Sequence, residues 1–167
     1  GIATTILQLA KGYAIISNGG YDVKPTLINK DIKINKKKNR ILKEGVSKKV
    51  VSALRKIVNT EVGTAKFANV PNFEIAGKTG TADKVLDGIY SEGKVNTFAS
   101  IFPSSNPKYV FIVMLDAPKT SSSYIYNYRH KEGTQTGTPY NTAGWTSVEV
   151  AGKIIDKIGP ILATKYI

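Results

Sequence analysis

A lysine and two threonines are interspersed with glycines in the segment 76–82, which reads Ala-Gly-Lys-Thr-Gly-Thr-Ala. Lys78 offers an ammonium group, and Thr79 and Thr81 offer hydroxyl groups, so that together they can bind a carboxylate. Glycine weakens a strand, and the two glycines here indicate that another backbone or a ligand approaches closely. The segment therefore predicts a strand edge that pairs with an extended ligand ending in a carboxylate. At Gly80 no side chain covers the backbone, so the ligand can approach it there.

Gly-Lys-Thr is also half of the phosphate-loop signature, in which backbone amides cradle a phosphate. That signature needs another glycine five residues before the first one, and Asn72 occupies this position. It also needs a helix directly after the threonine, whereas the turn pair Asp87-Gly88 follows within a few residues. The segment is therefore interpreted as a ligand-binding strand rather than as a nucleotide site.

Six further short motifs stand on both sides of this segment. They are Ile6-Leu7-Gln8-Leu9-Ala10 with Tyr13-Ala14, Val62-Gly63-Thr64-Ala65, Val70-Pro71, the run from Phe98 to Pro103, the run from Pro107 to Val110, and Ala143-Gly144-Trp145. Together with Lys-Thr-Gly, and in this order, they resemble the C-terminal half of the transpeptidase domain of class B penicillin-binding proteins. The resemblance covers nearly the whole chain and is nearest to the division-type branch of that family.

This resemblance implies an α+β fold with an antiparallel sheet of three strands and packed helices, part of the penicillin-binding and serine β-lactamase transpeptidase fold. Residues 1–167 would form one partial domain of a peptidoglycan D,D-transpeptidase, which crosslinks stem peptides during cell-wall synthesis and cell division. The implied partners are the D-Ala-D-Ala stem peptide, β-lactams and, for the parent protein, other divisome proteins. No cofactor is implied. The implied location is the periplasmic face of the bacterial inner membrane, with the anchor outside this chain.

The resemblance also assigns roles to the residues of the segment. Lys78 would be catalytic, because it holds positive potential over the cleft and takes part in a hydrogen-bond relay. Thr79 and Thr81 would bind the terminal carboxylate of the substrate through their hydroxyl groups. Gly80 would keep the strand flat beneath the substrate, and the backbone N–H of Thr81 would be one of the two oxyanion donors.

Acyl transfer through serine also needs a nucleophile with a base within reach. The family supplies these as Ser-x-x-Lys at a helix start and Ser-x-Asn. Matches to these letters occur at 91–94, 105–108 and 104–106. All three follow the Lys-Thr-Gly segment and are predicted to lie in loops or turns, whereas Ser and Lys share a face only on a helix. We therefore expect that this chain lacks the nucleophile and is inactive alone.

The first residue is glycine rather than methionine, which indicates a piece of a longer protein. Two alternative functions stay open beside the transpeptidase. One is a fragment of a serine β-lactamase-type hydrolase, and the other is a non-catalytic module that binds peptides or carboxylates. Residues preceding Gly1 would separate them, because both missing motifs are expected there in an enzyme.

Hydrophobic periodicity and turn residues predict the elements that position these groups. Predicted helices run from a cap at Thr4 or Thr5 to about residue 18, from a cap at Ser47 to about 61, and from Ser147 to 158 with Pro160 as the stop. Predicted strands span about 73–85, 95–102 and 109–117, with a small hairpin at 25–43 and loops at 84–94 and 118–146. A meander of the three strands would place Lys78 on an edge strand, where an added strand can pair.

Composition excludes several other classes of function. The chain has 167 residues, no cysteine and one histidine, so disulfides and thiolate metal sites are excluded and no metal site is expected. Its net charge is +12, which permits nucleic-acid binding. However, 21 of the 24 basic residues are lysine, and the densest basic run, 33–43, contains no aromatic residue for stacking. The charge is interpreted as a solvated surface, and no nucleic-acid partner is expected.

Overall fold

The computed structural model describes residues 3–28, 39–43, 45–119, 121–127, 133–137 and 140–166. Its helices are α1 (Ile6–Ser17), α2 (Val46–Asn59) and α3 (Ser147–Tyr166), with short 3₁₀ helices at Lys66–Ala68 and Ala143–Trp145. Its strands are β1 (Ala76–Leu86), β2 (Ile89–Phe102), β3 (Tyr109–Asp116), β4 (Ile125–Asn127) and β5 (Thr134–Thr136). Within these ranges, no helix combines the length and the hydrophobicity needed to cross a bilayer.

The first three strands form one antiparallel sheet in the order β1-β2-β3. Lys78 of β1 lies opposite Ala99 of β2, which lies opposite Ile112 of β3. In the part of the chain that the structure describes, β1 pairs with β2 alone, so Lys78 is on an edge strand as predicted. The predicted α+β fold with a three-stranded antiparallel sheet and packed helices is confirmed.

Helices cover both faces of this sheet, and alternating residues of each strand turn to opposite faces. Ala76 and Ile101 pack against α1 and α2, mainly on Val51 and Leu54. On the other face, Phe98 and its same-face neighbours pack against α3. Burial of each large side chain of this kind stabilises the fold by about 1.5–3 kcal/mol. The central strand β2 is therefore fixed from both sides, and it holds β1 in place.

The start of α1 lies where the sequence predicts it, whereas the start of α2 does not. At α1, the Gln8 N–H donates to the Thr5 hydroxyl at 3.1 Å and the Thr5 N–H donates to the Gln8 side chain at 2.8 Å, which forms a capping box. The predicted cap of α2 at Ser47 is wrong. Gly45 is the residue before this helix, in a left-handed conformation with φ of 81°, and Ser47 lies buried in the first turn.

Pro160 was predicted to end the last helix, and this prediction is also wrong, because α3 continues to Tyr166. Tertiary contacts on both sides of the proline hold the helix together. A Cβ on Gly159 would overlap the ring of Phe73, and beyond the proline Leu162 packs against the core. The hydroxyl of Tyr109 also donates to the Leu162 carbonyl at 3.2 Å. These contacts offset the hydrogen bond that proline removes.

The predicted loop at 84–94 is wrong as well, because β1 and β2 extend through it as a two-stranded ribbon. Asp87 and Gly88 form the connecting turn, and both have positive φ, at 51° and 80°. This geometry matches the right-handed twist of a hairpin. The ribbon projects beyond β3, whose last residue, Asp116, pairs with Val95.

Two other predicted segments differ in part from the structure. The strand predicted from residue 73 begins at Ala76, since Asn72 and Glu74 have positive φ values that a strand does not allow. The predicted loop 118–146 contains the small β4–β5 hairpin and the 143–145 helix. Much of the hairpin predicted at 25–43 lies outside the described residues.

Candidate functional site

The Lys78 side chain lies at the free edge of β1. It is two residues after Ala76, so its Cβ is on the face that α1 and α2 cover, but the residue itself is exposed. Its ammonium donates to the carbonyl oxygen of Thr79 at 2.8 Å and lies 3.4 Å from the hydroxyl of the same residue. No carboxylate of the described residues forms a salt bridge with it. Its positive charge is therefore available to an anionic ligand.

Thr79 and Thr81 lie on the opposite face of β1, and a different segment contacts each hydroxyl. The Thr79 oxygen is 3.1 Å from the hydroxyl oxygen of Thr64, in the loop after α2. The Thr81 oxygen accepts a hydrogen bond of 2.9 Å from the backbone N–H of Ala143. Because Thr81 uses an oxygen lone pair in that bond, its O–H remains able to donate to a ligand.

The two glycines of the motif have different surroundings. A Cβ on Gly77 would lie 2.6 Å from the carbonyl oxygen of Ala99 and 2.7 Å from the ring of Phe98, so this position has no room for a side chain. A Cβ on Gly80 would have the Thr97 carbonyl, at 4.0 Å, as its nearest neighbour. Gly77 therefore permits close packing of β1 on β2, whereas Gly80 leaves open space beside the three polar residues.

Two more glycines fix the loop that carries Thr64. A Cβ on Gly63 would overlap the carbonyl of Ile57 at the end of α2, and one on Gly144 would lie 2.7 Å from the Thr64 carbonyl. The Ala65 N–H also donates to the Ile57 carbonyl at 3.1 Å. Thr64 is thus held between α2 and the 143–145 helix, with its hydroxyl directed at Thr79.

A hydrogen-bonded pair of asparagines, of which Asn96 is buried, lies beneath Thr81. Asn96, opposite Thr81 in the register, is fully buried and donates from its side-chain nitrogen to the Asn141 oxygen at 2.8 Å. Asn141 in turn donates to the Pro118 carbonyl at 2.8 Å. These bonds tie both ends of the segment 118–146 to the sheet at the level of the candidate site.

A row of four aromatic rings, three of them within the same segment, connects it to Phe67. Trp145 contacts Phe67, with 5.1 Å between ring centroids, and Tyr126, at 5.0 Å. Tyr126 stacks on Tyr124 at 5.8 Å. Burial raises the pKa of Tyr124, and its hydrogen bond to the Glu149 carboxylate raises it further, so the phenol stays neutral. The row anchors the 143–145 helix, whose Ala143 N–H donates to the Thr81 hydroxyl oxygen.

Sequence reasoning missed the supporting residues of the site. Thr64 belongs to a motif noted for the family resemblance, but nothing in its spacing from Thr79 shows that the two hydroxyls meet. Asn96 looks like an ordinary surface residue of a strand, because polar residues alternate with apolar ones there. Ala143 contributes only its backbone N–H, which no sequence pattern reveals.

The rejected serine–lysine matches also have defined places. Ser91 and Lys94 lie in β2 rather than in the predicted loop, and the Ser91 hydroxyl donates to the Lys84 carbonyl at 3.0 Å. Ser105 and Lys108 lie in the turn between β2 and β3. Neither pair is helical, so neither has the geometry of a serine nucleophile with a lysine base one turn away. No group of three or more potential metal ligands occurs among the described residues.

We predict that Thr81→Val loosens the attachment of the segment 118–146, whereas Thr81→Ser does not. Valine has nearly the same shape but leaves the buried N–H of Ala143 without an acceptor, which costs about 1–3 kcal/mol. Hydrogen-exchange mass spectrometry of peptides spanning 140–146 should show exchange roughly tenfold faster or more in the valine variant. Equal exchange in both variants would mean that this bond does not hold the segment.

A family model described as the penicillin binding protein transpeptidase domain matches residues 1–137. A probable peptidoglycan D,D-transpeptidase FtsI of Caulobacter vibrioides is 29% identical, over 99% of this chain and 27% of that protein. A peptidoglycan D,D-transpeptidase FtsI homolog of Mesostigma viride is 32% identical, over 76% of this chain and 25% of that protein. The chain thus spans about a quarter of the length of these relatives.

Solved structures show the same fold. The transpeptidase domain of penicillin-binding protein 3 from Burkholderia pseudomallei has a TM-score of 0.73 and 23% identity, over 95% of this chain and 43% of that one. The transpeptidase domain of FtsI4 from Legionella pneumophila has a TM-score of 0.62 and 24% identity, over 93% of this chain and 47% of that one. The likeness in fold therefore extends over nearly all of the chain.

Proposed function

This chain belongs to the penicillin-binding protein transpeptidase domain family, and we propose that it is the C-terminal portion of a peptidoglycan D,D-transpeptidase. In this proposal, residues 1–167 form one wall of a cleft that binds the D-Ala-D-Ala end of a stem peptide. A β-lactam binds in the same place, because it mimics that end of the substrate. The nucleophilic serine and its lysine come from a part of the longer protein outside this chain.

The observation that carries the proposal is the cluster of one ammonium and two hydroxyl groups at the edge of β1, with which no other strand of the described residues pairs. Lys78 lies against Thr79, and Thr81 has a hydroxyl proton available to donate. A terminal carboxylate needs such donors, and charge-assisted hydrogen bonds of this kind are the stronger ones. The open space at Gly80 lets the backbone of an extended peptide approach.

The backbone of β1 supports a role for Thr81 in stabilising the oxyanion. The Thr79 carbonyl accepts from the Lys78 side chain, which supports an orientation toward the free edge rather than toward β2. In an antiparallel pair, alternate residues turn their N–H and C=O groups to the same edge, so Thr81 shares the orientation of Thr79. The Thr81 N–H is then one donor to the oxygen that becomes negative during acyl transfer.

The reaction is acyl transfer in two steps. The serine hydroxyl loses its proton as its oxygen forms an ester with the carbonyl carbon of the penultimate D-Ala. The peptide bond breaks, that proton is relayed to the nitrogen of the terminal D-Ala, and the terminal D-Ala leaves. The amine of a neighbouring stem peptide then attacks the ester and forms the crosslinking amide, and a proton from this amine returns to the serine oxygen as the serine is released. The positive charge of Lys78 stabilises the ionised terminal carboxylate of the bound substrate. Lys78 also takes part in the hydrogen-bond relay that moves the proton.

The finer parts of the proposal concern the place of the longer protein in the cell. We assign it to the division-type branch, at the periplasmic face of the inner membrane and among other divisome proteins. Similarity to relatives named FtsI supports this branch. A fluorescent fusion of the longer protein is expected at the division site, and an even distribution along the cell envelope would contradict the assignment.

The direct test is labelling with a fluorescent penicillin, followed by intact-mass analysis. The 167-residue chain alone is expected to form no covalent adduct, while the longer protein forms a stoichiometric and long-lived one. Rapid loss of the label from the longer protein would instead indicate a β-lactamase-type hydrolase. Absence of any label from it would indicate a binding module without catalysis, and an adduct on the chain alone would show that a serine rejected above is reactive.

A further inference from the structure

A cavity lies apart from the β1 edge, on the side of the sheet that α1 and α2 cover. Its volume is about 700 Å³, and it opens between the end of α1, the length of α2 from Ser47 to Asn59 and the turn between β2 and β3. None of Lys78, Thr79 and Thr81 lines it. Cavities of this size hold drug-sized ligands. The proposed transpeptidase chemistry makes no use of this space.

The lining of the cavity carries more positive than negative charge. Lys48 lies in the first turn of α2, Arg55 and Lys56 lie two turns further along it, and Glu74 is the single acidic residue among those that line the cavity. Hydrogen bonds from the Ser105 side chain and from the Ser105 N–H, the latter at 3.0 Å, already reach the Glu74 carboxylate and lower its pKa. The two lysines form no salt bridge with a carboxylate of the described ranges.

The N-terminal end of α2 lies at the same cavity. A helix of this length, 14 residues, has a partial positive charge at its N-terminus. Neither an acidic residue in the first turn nor a side-chain cap offsets that charge, because the residue before the helix is Gly45. The helix end and the lysines therefore favour the same kind of ligand, an anion.

The Ser47 side chain gives independent evidence of a ligand. This residue lines the cavity and is only 6% exposed, and its hydroxyl oxygen has no hydrogen-bond partner in the described part of the chain. A buried hydroxyl without a partner destabilises a fold, so such groups are rare unless a ligand or water satisfies them. A bound anion at the start of α2 would accept this hydrogen bond.

We propose that this cavity binds a small organic anion through a phosphate or carboxylate group. Ser47 and Lys48 hold the anionic group at the start of α2, and Arg55 and Lys56 add positive charge along the helix. The cavity is larger than one anionic group, so the rest of the ligand lies against Ile16 and the serines of the β2–β3 turn. This inference does not depend on the proposed transpeptidase activity.

Titrations of the chain with inorganic phosphate and with acetate, followed by ¹H–¹⁵N correlation spectra, test the proposal. Sodium chloride at equal ionic strength is the reference, because it screens charge without filling a site. We expect one of the two anions to shift the amide signals of Ser47 and Lys48 in a saturable way, with a dissociation constant on the order of millimolar for so small a probe. Saturation by phosphate alone identifies a phosphate site, and saturation by acetate identifies a carboxylate site.

Variants separate a built site from diffuse surface charge. Ser47→Ala and Lys48→Met should each weaken binding roughly tenfold, which is the effect of losing one hydrogen bond to a charged group. Lys157→Met is the matched control, because Lys157 is an exposed lysine of α3 away from the cavity. Ser47→Ala should also leave the unfolding temperature unchanged or raise it, since the hydroxyl has no partner in the folded chain.

Three results would overturn the proposal. The first is that neither anion shifts the two amide signals beyond the chloride reference. The second is equal weakening by Lys157→Met and Lys48→Met, which would reveal general attraction to a basic surface. The third is a Ser47→Ala variant that unfolds at lower temperature but binds as the wild type does, which would give Ser47 a purely structural role.

Discussion

Replacing Lys78 with alanine in the longer protein is expected to slow acylation by a β-lactam roughly a hundredfold or more, as loss of one preorganised charge or donor typically does. The substitution removes an ammonium group that contacts Thr79 at the free edge of β1. The fold should survive, because the side chain is exposed and packs little of the core. Stopped-flow measurement of the acylation rate with a chromogenic β-lactam gives the comparison.

Lys84→Ala is the matched control for this experiment. Lys84 lies on the same strand six residues further on, and its ammonium bonds the Asp116 carboxylate at 2.9 Å. Loss of a surface ion pair costs about 0–1 kcal/mol and should leave acylation unchanged. Wild-type acylation by the Lys78 variant, or equal slowing by both variants, would remove Lys78 from the mechanism.

Alanine substitutions at the two glycines of the motif are expected to have opposite consequences. Gly77→Ala should destabilise the fold by about 1–3 kcal/mol, because its methyl group would overlap the Ala99 carbonyl and the Phe98 ring. Gly80→Ala should leave stability unchanged, because its methyl group enters open space. If the substrate uses that space, the same methyl group should slow acylation about tenfold. This corresponds to a loss of about 1.4 kcal/mol of transition-state stabilisation.

Each glycine variant serves as the control for the other, since both add one methyl group to the same strand. Urea unfolding measures the first effect, and acylation of folded protein measures the second. A Gly80 variant that acylates at the wild-type rate would place the substrate elsewhere. A Gly77 variant of unchanged stability would show that β1 can move away from β2 at little cost.

The sequence predicted those elements whose starts and order depend on residues close together in the chain. The cap of α1 was predicted at Thr4 or Thr5, and Thr5 fills this role through a capping box with Gln8, which lies only three residues away in the sequence. The strand order was predictable because short connections favour antiparallel neighbours, which places β1 at an edge. The family resemblance, now confirmed by the match to residues 1–137, extended these patterns to the whole fold.

The errors occurred where distant contacts override local preference. Pro160 would end an isolated helix, but a contact with Phe73 before the proline and a contact with Tyr109 beyond it hold α3 together. Ser47 has the residue type of a cap, yet Gly45 adopts the left-handed conformation that starts α2 two residues earlier. The functional roles of Lys78 and Thr81 stay predictions, while the neighbours that orient the motif are known only from the folded chain.

The β1 strand is much longer than the substrate that we propose for it. Its eleven residues, at about 3.3 Å each, span roughly 36 Å, whereas a terminal dipeptide spans roughly 7 Å. The pairing with β2 shifts register between Asp83 and Val85, and such irregularities bend an edge and hinder the addition of another strand. The register with β2 is thus continuous from Ala76 to Asp83, and it resumes in a shifted form at Val85. The length of β1 before this register shift therefore limits how many residues of an extended ligand can pair with the strand.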